Sequence, residues 1–344
     1  TSTPTPTSTP TSTSTPTPTP TATSTPVPVP LPPGEALDID LNPQNPAELF
    51  ALLKNGRLYR TQDGGHQWAE VQLGGPVGSL TVLAFAPGQA NVIYLGAYGQ
   101  ILKSVNGGDT WQSLPLPNDQ IQVHDLAIAN SNSDLVYAAT AGGILISADG
   151  GSTWVNGQKA DGTALQTPLY TVAIEAGEDS PIYTAGEGDV IYRADGPQSN
   201  WQALPCSACR QAVYALAVKG STVYAGGAST ILVQSDDAGQ SWRSANSGLP
   251  TPQMPTLNIS RIVLGSGPIL YAGTGFKANN DDGLGLIQSI NGGDNWSYLP
   301  LPEPRTTYHV QNIALDPTDP NVIYIAGFGG IYKSENGGRD WVKQ

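Results

Sequence analysis

The side chains that could carry chemistry are few and scattered. The histidines His66, His124 and His309 stand too far apart in the chain to form a local metal-ligand motif. Cys206 and Cys209 form a Cys-x-x-Cys pair. Zinc would require two more ligands nearby, and none follow. A thioredoxin-like site would require a βαβ context, which is missing, so the pair reads as a small local disulfide. Asp38, Asp40 and Asp125 fall within short apolar runs. Two carboxylates facing across a cleft could hydrolyse a glycosidic bond. Carboxylates are normally exposed, however, so the three are read as solvated channel-mouth or turn residues. Asn279, Asn280, Asp281 and Asp282 lie in the stretch FKANNDDGLG, residues 276–285, and offer oxygens suited to calcium. They lack the spacing of an EF-hand loop and read as a solvated turn. No metal site and no cofactor are expected.

Composition narrows the partners. The chain has 344 residues, with 15 Lys and Arg against 28 Asp and Glu, giving a formal charge of −13. Cations this sparse cannot neutralise a phosphate backbone, so no nucleic acid is expected. An acidic surface also repels anionic lipid headgroups. No run of 18 apolar residues exists that could form a membrane-spanning helix, so no direct membrane insertion is expected.

Residues 1–34 are a different material from the rest. Threonine occupies every odd position from Thr1 to Thr25. The even positions are serine, proline or one alanine. Such a segment has little apolar surface to offset the entropy of ordering. Its prolines favour extended polyproline II and interrupt a strand ladder. The bland reading is a semi-rigid spacer. The sharper reading is an O-glycosylated stalk, with sugar on Thr1, Thr3, Thr5, Thr7, Thr9, Thr11, Thr13, Thr15, Thr17, Thr19, Thr21, Thr23 and Thr25. Both readings place the protein outside the cell or on its surface. The start at Thr1 suggests that an upstream segment such as a secretion signal is missing.

Residues 35–344 repeat one unit seven times. The tryptophans Trp68, Trp111, Trp154, Trp201, Trp242, Trp296 and Trp341 are spaced by 43, 43, 47, 41, 54 and 45 residues. Each closes a similar turn: TQDGGHQW, SVNGGDTW, SADGGSTW, RADGPQSNW, SDDAGQSW, SINGGDNW and SENGGRDW. Short runs rich in Val, Ile, Leu and Tyr precede each turn, with Gly, Pro, Asn or Asp between them, which is strand chemistry. No stretch keeps helical periodicity over three turns. Four short strands per unit at this period predict an all-β fold: a seven-bladed β-propeller with four antiparallel strands per blade. The units are contiguous, so the ring should close by packing blade 1 on blade 7 without a borrowed strand.

The turn explains its own composition. Asp63, Asn106, Asp149, Asp195, Asp237, Asn291 and Asn336 have short side chains that can accept backbone N–H bonds. A Ser or Thr two positions earlier can join the same knot. The indole then covers the hairpin. Arg193 takes the hydroxyl position in the fourth turn, which also carries an extra residue, so a looser outer hairpin is expected there.

These turns resemble the Asp-box, or BNR repeat, S-x-D-x-G-x-x-W. It occurs in sialidases, xyloglucanases, sortilin-like receptors and photosystem II assembly-factor-like propellers. The resemblance covers residues 35–344 and implies a propeller with its boxes on the blade peripheries, away from any active site. Sialidase activity would need an arginine cluster, a tyrosine nucleophile with a glutamate partner, and an acid aspartate. The Arg-Ile-Pro motif is absent, the nearest string being Arg261-Ile262-Val263. Xyloglucanases build their cleft between two propellers, and this chain encodes one. Assembly-factor-like propellers carry basic surface patches for their membrane partners, and this chain is acidic, so that role transfers poorly.

Propellers usually bind at the channel mouth. Aligning the units places Thr81, His124, Tyr170, Tyr214, Ser260 and Gln311 at equivalent positions, where the innermost strands begin. This polar and aromatic ring suits sugars or peptide segments, and equally an ordinary water-filled lining. His309 also stands at the start of a predicted inner strand. The favoured function is a non-catalytic extracellular or cell-surface interaction module, a propeller head on a Thr/Pro stalk. In its sharper form the tail contacts the next subunit head-to-tail, giving a filament. The alternatives are a carbohydrate-binding or glycoside-hydrolysing propeller, and an assembly-factor-like partner of a membrane complex. The expected partner is protein, including a second copy, or carbohydrate.

Overall fold

The computed structural model describes residues 29–130, 132–175, 181–209, 211–228, 231–249, 258–275, 285–301, 309–327 and 329–344. Thr1 to Thr25 and the run 276–284 therefore lie outside the described residues. The described chain forms seven four-stranded sheets, each taking its strands in sequence order, and contains no helix. All pairings within the sheets are antiparallel.

The first strand of each blade is innermost. These strands are Ala36–Leu41, Leu80–Ala86, Val123–Ile128, Leu169–Ile174, Val213–Lys219, Ile259–Leu264 and Val310–Leu315. Each packs against the first strand of the next blade, and Val310–Leu315 returns to Ala36–Leu41. The ring closes with no exchanged strand.

Seven hydrophobic clusters fill the seven interfaces between blades. Each holds one tryptophan from the later blade of its pair, and Trp68 seals blade 7 against blade 1. A lone blade is apolar on both faces and can bury them only between neighbours.

Two repeated devices organise the rim, one within each turn and one between neighbouring blades. Within a turn, Ser104 Oγ donates to Asn106 Oδ1 at 2.9 Å and accepts from Gly108 N at 2.8 Å. The N–H of Thr110 donates to the same Oδ1. The same knot forms at Thr61, Ser147, Ser235, Ser289 and Ser334. Between blades, a tyrosine of the second strand donates to the first small residue of the next turn. Tyr324 reaches Gly64 O at 3.1 Å, Tyr224 reaches Gly292 O at 3.1 Å and Tyr183 reaches Ala238 O at 3.3 Å. The turn is thus a socket for the preceding blade as well as a hairpin.

Two sequence expectations change here. The fourth turn is not loose: its outer strands Val190–Ala194 and Gln202–Pro205 pair at four positions, against two in blades 1, 3, 5 and 7. Arg193 Nη2 bonds Asp195 Oδ1 at 2.6 Å in place of the hydroxyl knot. The tail boundary at residue 34 is also too late. Val29 pairs with Trp68 through both backbone groups, at 2.8 and 2.7 Å, and Leu31 is buried between blades 7 and 1. Pro30 follows Val29 in this strap and has no N–H to offer a further strand.

Candidate functional site: the axial channel mouth

The innermost strand of every blade begins with a β-bulge. Pairing skips one residue in each: Leu37, Thr81, His124, Tyr170, Tyr214, Ser260 and Gln311. A bulge frees one residue from the ladder and re-aims its side chain. All seven line one cavity of about 430 Å³ on the axis. The six residues aligned from the repeats are therefore brought together. Leu37 completes the ring; its apolar side chain did not suggest a lining residue. His309 does not line the cavity and is buried beside Gly275. His66 lies at the rim, in an exposed turn.

The ring has two unlike halves. On blades 3, 4 and 5, His124, Tyr170 and Tyr214 form an aromatic arc, with ring centroids 5.2 and 5.4 Å apart and tilts of 45° and 43°. Elsewhere the ring is formed by Leu37 and by the polar Thr81, Ser260 and Gln311. Much of its hydrogen-bonding capacity is engaged in holding blades together. Thr81 Oγ1 donates to Val123 O at 2.6 Å. His124 Nδ1 stands 2.7 Å from Leu169 O, and Ser260 Oγ donates to Val310 O. Tyr170 donates its hydroxyl to Glu187 Oε1 at 3.1 Å. Burial, with the Glu187 carboxylate adding, pushes the Tyr170 phenol up to about 12. This tyrosine–glutamate pair is tuned away from nucleophilic activation. Arg261 is the single arginine in the wall, not part of a cluster.

The carboxylates overturn half of their sequence reading: Asp38 and Asp125 line the channel mouth but are not solvated. Asp38 and Asp125 are only 3% and 5% exposed. They are not solvated because the next blade supplies donors. Asp38 Oδ2 accepts from Leu83 N at 2.7 Å, and Oδ1 accepts from Ile39 N at 2.8 Å and from Asn312 Nδ2. Asp125 Oδ2 accepts from Val172 N at 3.0 Å and from the Thr171 hydroxyl at 3.1 Å. Asp40 Oδ2 accepts from Phe85 N at 3.0 Å, and its carboxyl lines a second cavity of about 430 Å³ below the first. Burial pushes Asp40 up to about 7, with the charge of Asp38 adding.

Asp125, Arg261 and Asn312 belong to the walls of both cavities and divide the channel. Desolvation would lower the pKa of Arg261, but Asp125, Asp38 and Asp40 hold it raised. Above this plug the mouth is aromatic and polar. Below it the wall is mainly aliphatic, with Leu83, Leu216, Val218, Ile262 and Ile313.

Cys206 and Cys209 form a disulfide in the link between blades 4 and 5, and both are fully buried. Among the described residues, no three of His, Cys, Asp and Glu are placed to hold a metal ion, and no helix is long and apolar enough to cross a membrane. The four candidate calcium ligands, Asn279 to Asp282, lie outside the described residues.

No protein-family model matches the chain, and no curated protein is similar to it in sequence. Solved structures do share its fold. A xyloglucanase of family GH74 from Xanthomonas campestris is 20% identical with a TM-score of 0.70. The match covers 89% of this chain and 52% of that one, so the chain spans about half the xyloglucanase. YCF48 bound to a D1 peptide is 16% identical, TM-score 0.65, covering 90% of this chain and 95% of that one. The extracellular domain of a putative one-component system from B. thetaiotaomicron is also 16% identical, TM-score 0.65, covering 90% and 39%. At these identities the likeness defines a seven-bladed β-propeller, and one such fold hosts many activities.

Proposed function

We propose that the chain is a non-catalytic interaction module of a secreted or surface-exposed protein, built on Asp-box turns, that engages its partner at the aromatic half of the channel mouth. The observation that carries this reading is the division of roles around the axis. The carboxylates Asp38 and Asp125 hold neighbouring blades through backbone donors, which leaves neither free as a proton donor or nucleophile. The three residues of the aromatic arc line the cavity and are skipped by the strand pairing. Aromatic side chains with a few fixed polar groups are the usual make-up of a binding site.

The Thr/Pro tail and a buried disulfide support a location in an oxidising compartment. Among the structural neighbours, one is an extracellular domain and another is bound to a peptide. The hydrolytic reading keeps one observation in its favour. Asp40, titrating near neutrality, faces the lower cavity and has the tuning of a general acid.

A panel of neutral oligosaccharides and of proline-rich, acidic and basic peptides tests both. The tyrosine resonances of Tyr170 and Tyr214 report binding, and reducing ends report hydrolysis. Perturbation of these rings without product is the expected result. Sugar release abolished by Asp40→Asn would establish an enzyme, and silence at both rings with every probe would remove the mouth as a site.

A further inference from the structure

We infer that the arc of His124, Tyr170 and Tyr214 is the docking face for the threonine–proline tail of a second copy of this chain. The inference rests on the reading of the mouth as a binding site and names its occupant.

The chemistry of the arc favours stacking over polar readout. The hydroxyls of Thr81, Ser260 and Tyr170 already donate within the protein. A sugar is fixed by several directed hydrogen bonds, and these hydroxyls have no proton left to donate to one. Proline needs none. Its ring packs flat on aromatic faces, and proline-rich segments dock in aromatic-lined grooves in an extended form that costs little entropy to order.

The tail has the matching composition. The run Thr15 to Pro20 places proline at 16, 18 and 20. Residues preceding proline are restricted to extended conformations. In polyproline II, with three residues per turn and about 3.1 Å per residue, alternate prolines lie roughly 6 Å apart along the axis on adjoining faces. The ring centroids of the arc are 5.2 and 5.4 Å apart. Residues 1–33 carry no charged side chain, so the charge of −13 lies entirely on the rest of the chain. Two heads repel one another; an uncharged tail approaches an acidic head without that penalty.

This propeller already accepts such a segment. Val29, between Pro28 and Pro30, pairs with Trp68 through both backbone groups. Twenty-eight residues precede that anchor on the outer edge of blade 1, and a polyproline II chain of that length spans roughly 90 Å at about 3.1 Å per residue. A run this rich in proline is stiff over several residues, which opposes folding back over the rim to its own axis.

Sedimentation of the full chain across the micromolar range tests the inference. The average mass should rise with concentration. Tyr214→Ala, and separately the triple change P16S/P18S/P20S, should each weaken self-association about tenfold, as loss of a stacked anchor does. Tyr214→Phe keeps the ring and should associate normally, which controls for folding. The two defective chains mixed should pair once only, intact tail to intact mouth. A chain monomeric throughout, with the tail change shifting Tyr170 and Tyr214 resonances, would mean that the tail serves its own head, and the inference fails. It fails as well if the tail changes move neither mass nor resonances. In that case an oligosaccharide or other peptide shifting these rings leaves the wider reading of the mouth standing, and silence with every probe removes both.

Discussion

Arg261 of blade 6 reaches across the channel to Asp125 of blade 3, placing Nη1 3.5 Å from Oδ1. The two residues are 136 positions apart. Every other ion pair described joins residues of one blade or of adjacent blades. Around this crossing bond, Asp38 and Asp125 take backbone donors from the following blades, so the axis is tied both around its circumference and across it.

Removing the crossing cation should therefore cost stability. In Arg261→Met, Asp125 keeps its backbone donors but loses its charge partner. A buried charged group losing a partner costs about 1–3 kcal/mol. Urea denaturation of Arg261→Met should show that loss, and Arg261→Lys should recover part of it. An unchanged midpoint would show that the bond contributes nothing at the axis.

Asp40 makes stability depend on pH in the opposite sense to a salt-bridged carboxylate. Its pKa rises from 3.8 to about 7 on folding, chiefly through burial. Below about pH 4 the group is neutral in both folded and unfolded chains and carries no penalty. As pH rises through this window the unfolded chain ionises first, so the folded state loses ground until about pH 7. Asp40→Asn should flatten this decline. The difference in denaturation midpoint between the two proteins, followed from pH 4 to 8, should grow in favour of the variant. A constant difference would refute the assignment.

How much of this was legible differs by residue. The seven tryptophans and their Asp/Asn-Gly turns announce the blade count, because each needs a tight bend and a large ring at one fixed place. The mouth ring emerged from aligning the units; Leu37 escaped because polarity was the cue. The burial of Asp38 and Asp125 was not legible. Carboxylates in apolar runs read as exposed, and their donors belong to the next blade's backbone, which leaves no local pattern. The interblade tyrosines Tyr183, Tyr224 and Tyr324 were visible as a recurrent residue, but their acceptors lie 55, 68 and 260 positions away.

The turns predict two substitutions of opposite sign. Gly108 has a φ of 87°, and a Cβ there would stand 2.6 Å from the Phe50 ring of blade 1. Gly108→Ala combines backbone strain with overpacking and should cost about 2–4 kcal/mol. Ala238 stands at the position of Gly107 and holds a left-handed conformation at φ 59°, where five of the other turns have glycine in that conformation, Gly64, Gly107, Gly150, Gly292 and Gly337. Ala238→Gly removes the strain and should stabilise by up to about 1 kcal/mol. Thermal unfolding of both variants checks the pair. Equal signs would mean that the socket does not constrain these positions.

The strap predicts that residues outside the repeats belong to the core. Trp68, Trp201 and Trp296 are at most 1% exposed. Each has a segment from outside its own hairpin bonded to its backbone: Val29 to Trp68, Gln158 to Trp201 and Ser247 to Trp296. Each segment also supplies a buried leucine, Leu31, Leu165 or Leu249, to the same interface. Trp111, Trp154 and Trp242 have no such segment bonded to their backbone among the described residues and are only partly buried. Val29→Pro deletes the N–H that donates to Trp68 O at 2.8 Å, and Leu31→Ala empties the seam between blades 7 and 1. Leu31→Ala should cost about 2 kcal/mol, the lower end for a buried leucine because the strap lies at an edge. In Val29→Pro the emission of Trp68 should move to longer wavelength as water reaches the indole, while Leu249→Ala should act likewise on Trp296. If neither the unfolding midpoint nor the emission responds to changes at Val29 and Leu31, the propeller ends where its repeats end.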